Sequence, residues 1–250
     1  MEHLNKVAKI TLLFWCMKIV ATTLGETLGD FIAQTLNLGY TVGIFITFFF
    51  FIIVLGIQLY SKKYVPLFFW LVIIATTTLG TEISDFIDRS LGIGYAFGSL
   101  ILCTGLLITL YLWFLIFKNL EVNPIYQRKK ELFFWMAVLF SNSLGTAFGY
   151  YLSDNIGLSY LMGALVTASI IVVVIGLHYY TKVNQILLFW IAFVFTRPFG
   201  ATFGDFLTKP TNKGGMDLGT LEASIVAILL MSIFIMISHV MLKDGTNKSS

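Results

Sequence analysis

Glu26 and Asp30 stand four residues apart, and Glu82, Asp85 and Asp205 recur at related places further along the chain. Thr22 lies four residues before Glu26, and Thr77, Asn142 and Arg197 hold the corresponding places elsewhere. A spacing of four is close to one turn of an α-helix, so such residues share a face. The four faces read Thr22, Glu26, Asp30; then Thr77, Thr81, Asp85 with Glu82 beside them; then Asn142, Thr146, Tyr150; then Arg197, Ala201, Asp205. Carboxylates lined up with neutral oxygens are ligands for a hard cation, and a row of them can pass protons along. Oxygen-only ligation suits Mg²⁺ or Mn²⁺ better than copper or zinc, with Glu26, Asp30, Glu82 and Asp85 as the metal-ligand candidates.

Arg197 is the odd member, and Pro198 after it removes a backbone donor and kinks a helix. One role is an internal counter-ion to Glu26, Glu82 or an aspartate; the other is an anchor for an anionic substrate, since a guanidinium forks onto carboxylate or phosphate. At least five acidic residues face this one arginine, which favours pairing, because buried charges pair. Plainer roles stand beside these. Gly25 with Gly29, Gly80 with Ser84, Gly145 with Gly149 and Gly200 with Gly204 are small-xxx-small pairs, which let helix backbones approach closely. The aspartates could sit at helix ends, although a carboxylate at a helix C-terminus opposes the macrodipole.

These groups are set in an oily chain. Of 250 residues, 58% are hydrophobic and 12% charged, and the mean hydropathy is +0.88. Soluble domains run nearer ~45–50% apolar and ~25% charged. Lipid is therefore the expected solvent, and soluble dinucleotide-binding enzymes, disulfide scaffolds and DNA-binding modules are excluded as readings. Cys16 and Cys103 lie inside apolar runs, as small hydrophobes do.

The chain repeats itself. Trp15, Trp70, Trp135 and Trp190 each follow a Leu-Phe or Phe-Phe pair, at intervals of 55, 65 and 55 residues. Ten residues after each tryptophan stands a glycine, and four further on another small residue. Each copy holds two apolar stretches: a first as in 11–31 or 66–86, and a longer second at 39–60, 94–117, 159–180 and 219–240. Backbone polar groups cannot stay unpaired in lipid, so both stretches are expected as helices. Two crossings return the chain to its starting side, which makes the copies parallel rather than inverted. The expected fold is an all-α integral membrane protein: eight transmembrane helices from four parallel two-helix repeats, both termini cytoplasmic. It forms one membrane domain over 1–250, with repeats at about 10–62, 65–118, 130–182 and 185–243 and a cytoplasmic linker at 118–130.

Orientation follows from Lys and Arg. Eleven of sixteen, Lys243 and Lys248 among them, lie on the side of the termini and inter-repeat loops, against Arg89, Lys209 and Lys213 opposite. The tryptophans are then expected as anchors at the cytoplasmic interface, with Lys18 snorkelling nearby. Glu26 and Glu82 fall roughly 16–18 Å from their tryptophans, near mid-membrane. A charge there costs at least ~2.5–3.5 kcal/mol, so the stripes should face the bundle interior.

The tryptophan-led first helix, the T-x-G-[ET]-x-x-[GS]-D-F pattern of the first two copies, and a second helix opening on Gly-Tyr carry a resemblance. The chain resembles a family of bacterial membrane proteins built from four tandem two-helix repeats, the repeat of unknown function 347. The resemblance spans nearly the whole chain and implies the inner membrane of a bacterial or archaeal cell, with no substrate attached. Tyr150 at the aspartate position, and Arg197-Pro198 with an added lysine-glycine loop, depart from fourfold equivalence.

The expected function is a secondary carrier for a small divalent cation coupled to protons, with Glu26, Asp30, Glu82, Asp85 and Asp205 as the path. Thr22, Thr77 and Asn142 would add oxygens, and a break at the glycines would expose carbonyls. The alternatives are a non-transporting sensor or structural partner held together by its polar stripe, and an anion or organic-solute carrier centred on Arg197. His3, His178 and His239 lack the company of a metal site, and no phosphate-binding or nucleophile motif occurs. No enzyme activity, cofactor or nucleic-acid partner is expected. The bilayer, a small cation and protons are the expected partners, and an oligomer remains open.

Overall fold

The structure is a computed structural model describing residues 5–247, with side chains through 242. His3, Lys248 and the Lys243 side chain lie outside the described residues. Among the described residues there are eight helices long and apolar enough to cross a membrane, and no strand. They are α1 (Leu12–Asp30), α2 (Gly39–Tyr60), α3 (Pro66–Asp85), α4 (Tyr95–Phe117), α5 (Arg128–Tyr150), α6 (Tyr160–Tyr180), α7 (Gln185–Thr208) and α8 (Thr220–Asn247).

Local chemistry explains where they start. Thr11, Ser159 and Asn184 accept hydrogen bonds from the first free amides of α1, α6 and α7, and Pro66 opens α3, where a missing N–H costs nothing. Gly94 and Gly219 precede α4 and α8 with φ of 81° and 83°, a turn other residues rarely make. α1, α3 and α5 each run on into a wider π-helical turn, Phe31–Thr35, Phe86–Ser90 and Tyr151–Asn155.

The first helices of the repeats, α1, α3, α5 and α7, form a closed inner ring in which each packs on two neighbours and α7 returns to α1. The second helices lie outside and lean forward by one repeat: α2 on α3, α4 on α5, α6 on α7, and α8 back on α1. Gly25 faces Thr77 and Gly29 faces Thr81; Gly145 faces Arg197 and Gly149 faces Ala201; Gly200 faces Thr22 and Gly204 faces Glu26. Rising numbers meet rising numbers, so the ring helices run parallel. Each first glycine receives the residue seven past the next copy's tryptophan. A Cβ at Gly25 would lie 2.3 Å from Thr77 Oγ1, and one at Gly200 would lie 2.4 Å from Thr22 Oγ1. In lipid, where burial adds little between helices, such close contact is a main source of association.

Three expectations need correction. The tryptophans are not interface anchors: Trp70, Trp135 and Trp190 are buried, and Trp15 half-buried, in an aromatic plug across the ring. Phe14 meets Trp70 and Phe189 at centroid distances of 5.5 and 6.4 Å, and Phe69 meets Trp135 at 5.3 Å. Lys18 does not snorkel. It is fully buried, donating to Asn142 Oδ1 at 3.0 Å, with its ammonium 3.9 Å over the Phe193 ring. The inner helices are not broken at their glycines, and α7 continues through Pro198. The central linker has a structural part of its own. It folds over the plugged end, burying Ile125, and Leu120 O accepts from Trp190 Nε1 at 3.2 Å. Beneath it Lys6 pairs with Glu131, which also accepts from Gln58 at 2.9 Å.

Candidate functional site

Counted from each tryptophan, residues four apart fall into layers along the ring axis. Three residues on lie Lys18, Ile73, Val138 and Phe193; seven on, Thr22, Thr77, Asn142 and Arg197. Eleven on lie Glu26, Thr81, Thr146 and Ala201; fifteen on, Asp30, Asp85, Tyr150 and Asp205; nineteen on, Gln34, Arg89, Asp154 and Lys209. Each step is roughly 6 Å. Polarity grows from the aromatic plug towards the far end, where the π-helical turns are.

The central layers form one network across all four inner helices. Arg197 of α7 donates to Thr22 O at 3.0 Å, to Glu26 Oε2 at 2.9 Å and to Thr81 Oγ1. Tyr150 of α5 donates to Glu26 Oε1 at 2.6 Å. Both partners of the ion pair are shut away, at 0% and 1% side-chain exposure. Such a pair holds because its hydrogen-bonding capacity is largely met. Arg197 is thus a counter-ion in this structure. The neighbouring threonines are committed too: Thr22 donates to Thr196 O at 3.2 Å and Thr77 to Ala21 O at 3.1 Å. They bond the seams of the ring rather than offering oxygens to its axis, and Asn142 is taken by Lys18 and by Thr76, to whose Oγ1 it donates at 3.1 Å.

The outer layers hold the remaining carboxylates. Glu26, Asp30 and Asp205 each bring a carboxylate oxygen to within 4.8 Å of the others, the spacing of a cation site. Lys209 lies against them, its Nζ 2.5 Å from Asp30 Oδ2 and 3.2 Å from Asp205 Oδ1. Burial works against its charge, but Asp205 and Asp30 outweigh that and hold its pKa above the ordinary lysine value. Asp85 lies 3.5 Å from Arg89 Nε. Arg89 is in turn held by tyrosine: Nε donates to Tyr95 at 2.6 Å, Nη1 to Tyr40 at 3.1 Å, and its carbon is 4.7 Å from the Tyr150 ring centre. This end is the more accessible one, with Arg89 33% and Lys209 18% exposed.

The metal-ligand set read from the sequence, Glu26, Asp30, Glu82 and Asp85, does not assemble. Glu82 is one residue off the four-residue stripe and turns outward to α2, where a Cβ on Gly43 would lie 2.6 Å from both its oxygens. Neither oxygen has a hydrogen-bond partner. Asp205 takes the place expected of Glu82. The sequence reading missed Lys209, Arg89 and Tyr150 as site residues. The signal was present for the first two, four residues beyond Asp205 and Asp85. Their partners across the ring depend on its closure. A cleft of about 440 Å³ lies off the axis, lined by apolar side chains of α4, α5 and α7.

Residues 13–64, 68–118, 133–184 and 188–241 each match the family described as Repeat of Unknown Function (DUF347). No curated protein matches the chain, and no solved structure matches it.

Proposed function

We propose, from the premise that the chain belongs to this repeat family, that it is a carrier exchanging a small divalent cation for protons. The observation that carries the reading is the Glu26, Asp30, Asp205 trio within 4.8 Å with Lys209 lodged against it. A site that already seats one ammonium is built for positive charge. Oxygen ligands of this kind suit Mg²⁺ or Mn²⁺. A carboxylate holding a proton is a poor cation ligand, so the same groups are the seat of exchange. Lys209 acts as a tethered cation that fills the site at rest and leaves when cargo arrives. The aromatic plug closes the opposite end.

The lysine and arginine bias favours both ends of the chain in the cytoplasm and the acidic mouth outside, and the location we propose is the cell membrane of a bacterium or archaeon. We assign no catalytic role to any residue. An anion carrier centred on Arg197 is disfavoured because its guanidinium is already spent on Glu26, Thr22 and Thr81. A structural reading has one observation in its favour: the Arg197–Glu26 network touches every inner helix. That network pins the ring, while the outer aspartates work.

Purified protein in liposomes holding a Mn²⁺-sensitive dye and a pH dye provides the test. Wild type should admit Mn²⁺ with counterflow of protons, and Asp30→Asn with Asp205→Asn should stop both in protein that still folds, with a midpoint lowered by loss of the Lys209 pairs. Undiminished flux in that double variant would overturn the assignment. A purely structural stripe predicts instead lowered stability with no ion movement in any variant.

A further inference from the structure

Tyr150 occupies the position at which the other three repeats carry aspartate, fifteen residues past the tryptophan. It is buried at 2% exposure. Its hydroxyl donates to Glu26 Oε1 at 2.6 Å, while Arg197 holds Glu26 Oε2 at 2.9 Å, so the carboxylate is clamped at both oxygens by two different helices. Its ring lies 5.3 Å from that of Tyr95 and 4.7 Å from the Arg89 guanidinium. One side chain therefore touches both ion pairs: Arg197–Glu26 within the ring and, through Arg89, the Asp85 pair at the mouth.

We propose that Tyr150 is a positioning residue that sets how tightly the site holds a cation, an inference that rests on the carrier reading above. Two consequences follow from a phenol in place of a fourth aspartate. First, the layer of Asp30, Asp85 and Asp205 keeps three carboxylates rather than four, which limits how firmly a divalent ion is held and lets it leave. Second, cargo seated on Glu26 Oε1 competes with the phenol for that oxygen and draws it away from the hydroxyl. That movement shifts the ring beneath Arg89 and loosens the guanidinium from Tyr40 and Tyr95, so the same step that binds cargo loosens the mouth. Lys209 has no such role. It competes for the site directly, whereas Tyr150 acts through Glu26 and Arg89.

Tyr150→Phe separates the two parts, because it keeps the ring under Arg89 and removes only the hydroxyl. A charge-assisted hydrogen bond that cargo must break is worth about tenfold in binding. The half-saturating Mn²⁺ concentration for uptake into liposomes should therefore fall about tenfold in Tyr150→Phe, with no rise in the maximal rate. Tyr150→Asp should lower it further and slow release. Thermal unfolding of the same samples separates a merely structural role, which would depress the midpoint and leave half-saturation unmoved. Half-saturation within twofold of wild type in Tyr150→Phe, while Asp205→Asn abolishes uptake, overturns the role of Tyr150 and leaves the carrier reading standing. Absence of Mn²⁺ uptake in wild type overturns the carrier reading, and this inference with it.

Discussion

Gly145 on the third inner helix is the socket for Arg197 on the fourth: a Cβ placed on it would lie 2.5 Å from both Cβ and Cγ of the arginine and 2.8 Å from Pro198 Cδ. The stem of the fully buried Arg197 side chain thus leaves its helix where the neighbour has no side chain, and the guanidinium reaches on to α1 and α3. Gly145→Ala should push α5 from α7 and cost about 1–3 kcal/mol by overpacking. Gly56 and Gly176, on outer helices with nothing within 4 Å, provide the control. Alanine there should be neutral or stabilising by up to ~1 kcal/mol, since it favours helix. Unfolding midpoints in a single detergent compare the three.

Removing one partner of the Arg197–Glu26 pair leaves a buried charge alone. Arg197→Met or Glu26→Leu should each destabilise by about 3–5 kcal/mol, and the double variant by less than either. A double-mutant cycle on unfolding free energy measures the coupling. Additive losses would mean that the pair does not stabilise the ring.

Lys209 is held above the ordinary lysine value by Asp205 and Asp30 in spite of its burial. A group raised in this way contributes stability fully below its unfolded pKa and loses it as pH rises through the folded one. The part of the stability difference between wild type and Lys209→Gln that comes from the lysine's charge should therefore shrink as pH rises above about 10.4. On the carrier reading, Lys209→Gln should also bind Mn²⁺ more tightly, because a competing cation is gone; isothermal titration of both proteins checks it.

Lys18 is buried with an amide oxygen and an aromatic ring as its neighbours. Replacing a poorly compensated buried polar group by an apolar chain of similar length often stabilises, so Lys18→Met should leave the unfolding midpoint unchanged or raise it. A stabilised Lys18→Met protein with impaired Mn²⁺ flux would mark the lysine as serving activity rather than folding.

Much of this was legible in the residues themselves. The outer helices start within one residue of the glycine or serine that marks each second stretch, because capping and φ > 0 are local demands. The inward stripe was legible as well, and a strict four-residue count would have improved it. Lys18 lies four before Thr22 and so faces the axis. Glu82 lies one past Thr81 and so turns by about 100° to α2. What no local pattern contains is partnership across the ring. Lys209 reaches Asp30 from 179 residues away, and the tryptophans are covered by the folded linker and by neighbouring copies. Burial of that kind exists only once the four helices have closed.

The forward lean of the outer helices has a consequence for copy number. Each outer stave is borrowed from the preceding unit, and the last is lent back to the first, so no unit owns a finished surface. Unlike an open solenoid, which lengthens by adding modules at an end, this assembly is a cycle. Excising one module would leave an inner helix without its cover and another without its partner, so the chain should lose function in a single step rather than by quarters.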